Sequence, residues 1–123
     1  MEWISANSDG WLTYPRGLAQ QAHLVRQWHE TVAEWNPGAF KPFAQLWHID
    51  LAGDPDLAPA PIHGGHRLGR IALLRHLEFL ERTGVNHVLF NLKYGSRPAD
   101  EVMEELAKYI VPLFPAHAVG STR

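Results

Sequence analysis

The chain has no cysteine, which excludes disulfides, thiolate metal sites and cysteine nucleophiles and is the expected usage of a cytoplasmic protein. It has no surplus of positive charge. Its 11 Lys and Arg stand against 13 Asp and Glu, spread along the sequence for a net charge of -2. Without a basic stripe to neutralise phosphates, a nucleic-acid interface is not expected. Long apolar runs are missing too, and MEWISANSDG lacks a basic-then-apolar leader pattern, so neither a membrane span nor a secretory signal is expected. What remains is ordinary globular usage, 46% hydrophobic and 20% charged over 123 residues, enough for one domain (1–123) with a modest core. Five tryptophans add large aromatic surfaces that need burying, in a core or in a subunit contact.

The order of elements carries the fold. EWISANS (2–8) reads as the end of a helix, Asp9-Gly10 as a turn, and WLTY (11–14) as a short buried strand ended by Pro15 and Gly17. From Leu18 to Trp35 apolar residues recur at helical spacing, with Leu18, Ala22, Val25, Trp28, Val32 and Trp35 on one stripe and Gln21 off it. Asn36-Pro37-Gly38 stops that helix, and PFAQLWHIDL (42–51) is the second strand. AGDPDLAPAPIHGG (52–65), rich in proline and closed by two glycines, reads as an irregular loop, a length usually tied to function. A second helix is expected from Arg67 to Arg82, with Ile71, Leu74, Leu77 and Leu80 or Phe79 inward and Gly84 ending it. VNHVLFNL (85–92) is the third strand, apolar enough to be covered on both faces. Pro98, Asp100 and Glu101 open a last helix whose buried face is Val102, Leu106, Tyr109, Ile110 and Leu113. The tail after Pro115 (116–123) is expected to fray. This alternation predicts an α/β fold: three consecutive βα units with parallel strands, preceded by a short helical remnant.

Three stretches, EWISANSDGWLTYPR (2–16), IHGGHRLGR (62–70) running into ALLRHLEFLERTGVNHVLFNLKYGSRP (72–98), and EVMEELAKYIVPLFP (101–115), together resemble the bacterial-luciferase-like, flavin-dependent monooxygenase family. The resemblance implies a TIM-type (β/α)8 barrel, of which this chain is similar to the C-terminal part. It also implies FMN, or a deazaflavin in some branches, and a small organic substrate oxidised with O2. Much of the family's flavin site corresponds to sequence upstream of Met1, so the chain on its own is expected to be incomplete. The alternative is a non-catalytic barrel fragment acting through self-association or a partner chain. Three strands with helices on one face leave the other face open, which points to a homo-oligomer or a complementary barrel part.

In a parallel barrel the working residues lie at C-terminal strand ends and in the loops after them. That rule selects Thr13, Tyr14 and Arg16, then Asp50 and the following loop, then Asn91, Lys93 and Tyr94. Tyr14 can stack on a ring and Arg16 can pair an anion; the plainer reading is a capped strand and a solvated arginine. In His63-Gly64-Gly65-His66-Arg67 the glycines permit close backbone approach and a following helix N-terminus offers N–H groups to an anion; a glycine-dependent turn serves equally well. The pocket-lining candidates are thus Tyr14, Arg16, His63, Gly64, His66, Arg67, Asn91 and Lys93. His48, His63 and His66 lack a third ligand at a recognised spacing, so no metal is expected. His23, His29 and His76 read as surface groups on helices, and His87 as a packing or capping residue. Trp11 and Trp47 fall on strands, facing either a barrel lumen or the helices. Ser5, Ser8, Ser96 and Ser121 sit in no nucleophile elbow, as suits a chain whose chemistry a flavin would carry.

Overall fold

The computed structural model describes residues 1–115. It contains α1 (Glu2–Asn7), β1 (Trp11–Thr13), α2 (Leu18–Trp35), β2 (Phe43–Leu51), β3 (Ala60–Ile62), β4 (Gly65–Leu68), α3 (Arg70–Thr83), β5 (His87–Asn91) and α4 (Ala99–Tyr109). A 3-10 turn, Val111–Leu113, follows α4. Local chemistry explains several boundaries. Asn36 caps α2 just before Pro37-Gly38. Gly84 ends α3 in the left-handed region at φ 105°, a conformation that costs glycine little, and its N–H bonds back to the Leu80 and Glu81 carbonyls. Asp100 and Glu101 place negative charge in the first turn of α4, where the helix dipole favours it.

β2 is the centre of a curled, mostly parallel sheet that forms a half-barrel. Its residues 44–48 pair with β5 along one edge. Along the other edge β1 pairs with 43–45 and β4 with 48–51, so β1 and β4 follow one another beside the same strand. All of these pairings are parallel; only β3, which pairs β4 as a hairpin, is antiparallel.

The helices lie on one side of the sheet. Alternate residues of β2 point at them: Phe43, Trp47, Ile49 and Leu51 are buried, and so is Gln45. Phe43 packs with Val25, Trp28 and Val32 of α2 and with Leu80 and Val85. Trp47, Ile49, Leu51 and Leu68 pack with Leu73 and Leu77 of α3 and with Val102, Leu106 and Ile110 at α4. Trp11 joins this side as well, 5.5 Å from the Trp28 ring. Both strand tryptophans therefore face the helices. Leu12, Ala44, Leu46 and Leu89 share the opposite side by register, and Leu12 and Leu89 are exposed there.

The structure differs from the sequence-based expectations in five places. Residues 52–65 are not a continuous irregular loop, because β3 and the start of β4 form within them. Pro61 is tolerated because β3 is an edge strand, where a missing N–H breaks no inner ladder. The second helix begins at Arg70, leaving Arg67 on β4. With that shift Leu73 takes the inward position and Ile71 is exposed. On α2 the stripe overruns the sheet at both ends. Leu18 and Trp35 are exposed, whereas Gln21 is buried and donates to Gln45 Oε1 at 2.8 Å. Tyr109 and Leu113 are exposed on the last helix and its 3-10 turn, and Tyr109 instead carries the Arg70 guanidinium 4.0 Å above its ring. Finally, β5 is not covered on both faces: it is an edge strand with Leu89 in the open. The expected frayed tail, 116–123, lies outside the described residues.

Candidate functional site

The period of two along β2 puts His48 and Asp50 on the side without helices, at the C-terminal end of the strand. Asp50 is buried but has partners on both oxygens. Oδ1 accepts from the Ser96 N–H at 3.1 Å and from Ser96 Oγ at 3.0 Å. Oδ2 faces Arg67 Nε at 3.4 Å. The carboxylate thereby joins the turn after β5 to the strand on the opposite edge of β2. Arg67 meets Asp50 with Nε nearest; its side chain is half-exposed, and its terminal nitrogens make no hydrogen bond among the described residues.

The glycines of the β3–β4 hairpin explain how the rest of the cluster assembles. Gly64 sits at φ 72°, in the left-handed region, and a Cβ there would overlap the His48 ring. A Cβ on Gly65 would overlap the His48 carbonyl. With neither present, the hairpin lies flat against β2 and the His48 N–H donates to the Gly64 carbonyl at 3.1 Å. His63 then stacks on His48, with ring centroids 6.3 Å apart and planes 27° apart. Tyr94 meets both rings edge-on, at 5.1 Å from His48 and 5.8 Å from His63. Lys93 Nζ lies 5.5 Å from the Tyr94 ring, and Asn91 Oδ1 accepts the Lys93 N–H at 2.9 Å, which shapes the turn. Beneath it Arg97 binds Glu101 at 2.8 Å, Glu105 at 2.9 Å and the Leu51 carbonyl at 3.3 Å, fixing α4 to the end of β2.

The sheet sends the other histidine of the hairpin elsewhere. His66 pairs with Ile49 in register and points toward the helices, where its Nδ1 accepts the Trp47 Nε1–H at 3.1 Å. His76 of α3 lies against the same indole, its ring centroid 4.3 Å away. Burial lowers the pKa of His66. Burial lowers that of His76 further, to about 4, with a smaller contribution from the neighbouring His66. His76 is thus no surface group. Neither is His29, half-buried with Nε2 2.9 Å from the Gly84 carbonyl; His23 is exposed, and so is His87, without a packing role.

Of the residues singled out by sequence, the structure brings His63, Gly64, Arg67, Asn91 and Lys93 to one strand-end cluster and leaves His66 behind the sheet. Tyr14 is exposed, and Arg16 bonds the Tyr14 carbonyl at 3.1 Å and Gln21 at 3.3 Å, apart from the cluster. The anion site expected at a helix start after Gly65 is absent, because that stretch is β4. His48 is the member that sequence reasoning weighed only as a metal ligand. Its alternation with Asp50 on one strand was the available signal. Among the described residues no three His, Cys, Asp or Glu side chains converge as a metal site, and no helix is long and apolar enough to cross a membrane. The arrangement offers ring edges, imidazole N–H groups and a guanidinium on one rim. Its aliphatic hydroxyl, Ser96 Oγ, is tied to the Asp50 carboxylate that also faces Arg67, which suits holding and orienting a ligand more than attacking one. No protein-family model matches the chain, and no curated protein is significantly similar to it.

Proposed function

We propose that this chain is the C-terminal portion of a luciferase-like, FMN-dependent oxidoreductase or monooxygenase, a TIM-type barrel acting on a small organic substrate with O2 in the cytoplasm. The observation that carries the reading is a polar and aromatic cluster at the C-terminal ends of parallel strands, the place where barrels of this type keep their active sites. The sequence resemblance supplies the cofactor, FMN or a deazaflavin. On this reading His48, His63, Tyr94, Arg67, Asn91 and Lys93 form one wall of the pocket. Flat ring edges and hydrogen-bonding groups on that wall fit a planar, polar heterocycle. The flavin would supply electron transfer to oxygen and substrate. This chain's residues would orient the bound molecules and shield them from water, and Asp50 would hold the rim in place through Ser96 and Arg67.

The test is titration of FMN against the purified chain, followed by flavin fluorescence quenching. Saturable quenching that weakens in His48→Ala supports the reading. No quenching, by the chain alone or joined to a complementary barrel half, removes it.

A second reading is favoured by a different observation: a catalytically silent fragment that associates with itself or with a partner chain. Among the described residues β5 has one unpaired edge, and Leu12 and Leu89 are exposed on the side without helices. Covering apolar area contributes roughly 25 cal/mol per Å2, so these residues favour a homo-oligomer or a complementary barrel part. Light scattering separates the outcomes. An oligomer converted to a monomer by Leu89→Asp supports association through this face, and a compact monomeric wild-type chain argues against it.

A further inference from the structure

We propose that the rim formed by Arg67, His48 and His63 is a binding site for an oxyanion, a carboxylate or a phosphate carried on a small molecule. It stands on the geometry of this chain and does not depend on the flavin reading.

The argument begins with the charge inventory of the strand-end cluster. Arg67 and Lys93 are cationic, Asp50 is anionic, and His48 and His63 each offer an imidazole N–H. Asp50 is already committed. Ser96 supplies two hydrogen bonds to Oδ1, and Arg67 approaches Oδ2 with Nε as its nearest nitrogen. Nε is the inner nitrogen of the guanidinium, and the two terminal nitrogens of this half-exposed side chain make no hydrogen bond among the described residues. That fork is the geometry that takes a carboxylate or phosphate through two parallel N–H···O bonds. Asp50 acts here as a positioning residue: it fixes the guanidinium plane and lowers the ordering cost of binding.

The hairpin glycines add a second feature. They let His48 and His63 stack, with Tyr94 edge-on to both, and register puts His48 on the same face of the sheet as Asp50 and Arg67. A ligand whose oxyanion meets Arg67 would therefore find imidazole donors and ring edges next to it. That combination favours an aromatic or conjugated acid over a bare ion. A compact chain with net charge -2 gains such a site only locally, since nothing in the overall charge attracts anions.

The test uses the full chain and two-dimensional amide NMR at constant ionic strength set with chloride. Inorganic phosphate and benzoate are titrated separately. The expected result is saturable shifts confined to residues 48–50, 63–67 and 93–96, with benzoate binding more tightly than acetate, titrated alongside as the acid without a ring. Arg67→Gln should weaken binding at least about ten-fold, and Arg67→Lys should weaken it less, since charge is kept and the fork lost. Asp50→Asn keeps an acceptor for Ser96 but loses the charge that holds the guanidinium in place, so it should weaken binding, and by less than Arg67→Gln does. Shifts that are linear in concentration, spread over the surface, or unchanged in Arg67→Gln overturn the proposal. Comparing FMN with riboflavin distinguishes the sources. Preference for FMN assigns the rim to a cofactor phosphate, and benzoate binding with no flavin binding by this chain assigns it to a substrate acid, leaving the flavin reading to the titration with a complementary barrel half.

Discussion

The two sides of one strand behave as different materials. On β2, Phe43, Trp47, Ile49 and Leu51 lie dry beneath three helices, whereas Leu46, His48 and Asp50, one residue out of step, face a side with no helix over it. The first side buries large apolar surfaces and makes the piece fold; the second leaves Leu12 and Leu89 exposed and gathers polar groups at one end. Barrels divide labour in this way, with helix-side packing for stability and strand-end residues for chemistry. A half-barrel shows the division openly, because among the described residues nothing covers its inner side.

The sharpest test of the comparison is Trp47→Ala. Its ring is fully buried against Phe90 and His76, and truncation should cost about 3–5 kcal/mol by creating a cavity, read as a large drop in the urea midpoint. Next comes Asp50→Ala on the opposite side. It strips the acceptor from the Ser96 N–H and Oγ and should cost about 1–3 kcal/mol, with amide shifts concentrated in residues 93–97. A loss as large as that of Trp47→Ala would break the contrast between the sides.

Acid should act on the helix side. His76 has a folded pKa of about 4 against an ordinary value of 6.5, so the native state binds fewer protons than the unfolded chain between these values. Its stability contribution is therefore intact above about pH 6.5 and is lost progressively as pH falls toward 4. Allowing for partial solvent screening, the loss is about 1–2 kcal/mol. Chemical denaturation at pH 7 and pH 4.5 should show that His76→Gln flattens this part of the profile. The smallest effect belongs to Trp35→Ala, within about 0.5 kcal/mol, because that indole stands half in solvent beyond the sheet edge. A cost comparable to that of Trp28→Ala, whose ring is fully buried, would mean that something covers Trp35 in solution.

Much of the fold was legible. The α2 boundaries follow from an apolar stripe and the Asn36-Pro37-Gly38 stop, and the three principal strands follow from short apolar runs between turn residues. The β3–β4 hairpin was not legible, since three-residue edge strands containing proline carry almost no periodic signal. Within the candidate site, Arg67 and His63 were visible as unusual residues beside paired glycines. That His66 would turn away from them was readable only with the correct secondary structure, because neighbouring strand residues face opposite sides whereas a helix would have placed them otherwise. Tyr14 and Arg16 obeyed the strand-end rule in sequence but belong to a strand that stops beside Gln45, short of the level of His48.

The sequence by itself determined the alternation of the principal strands and helices, the parallel pairing it requires, and which apolar residues could form a helix-facing core, because local periodicity and turn chemistry are properties of neighbouring residues. Tertiary structure alone decided that β1 and β4 share one edge of β2, that His48, His63 and Tyr94 meet while Arg67 reaches Asp50, and that β5 is left at an edge. Those facts depend on register and on close approach between distant segments. A one-residue shift in register would exchange every buried side chain for an open one, and no local pattern encodes which partner supplies the register.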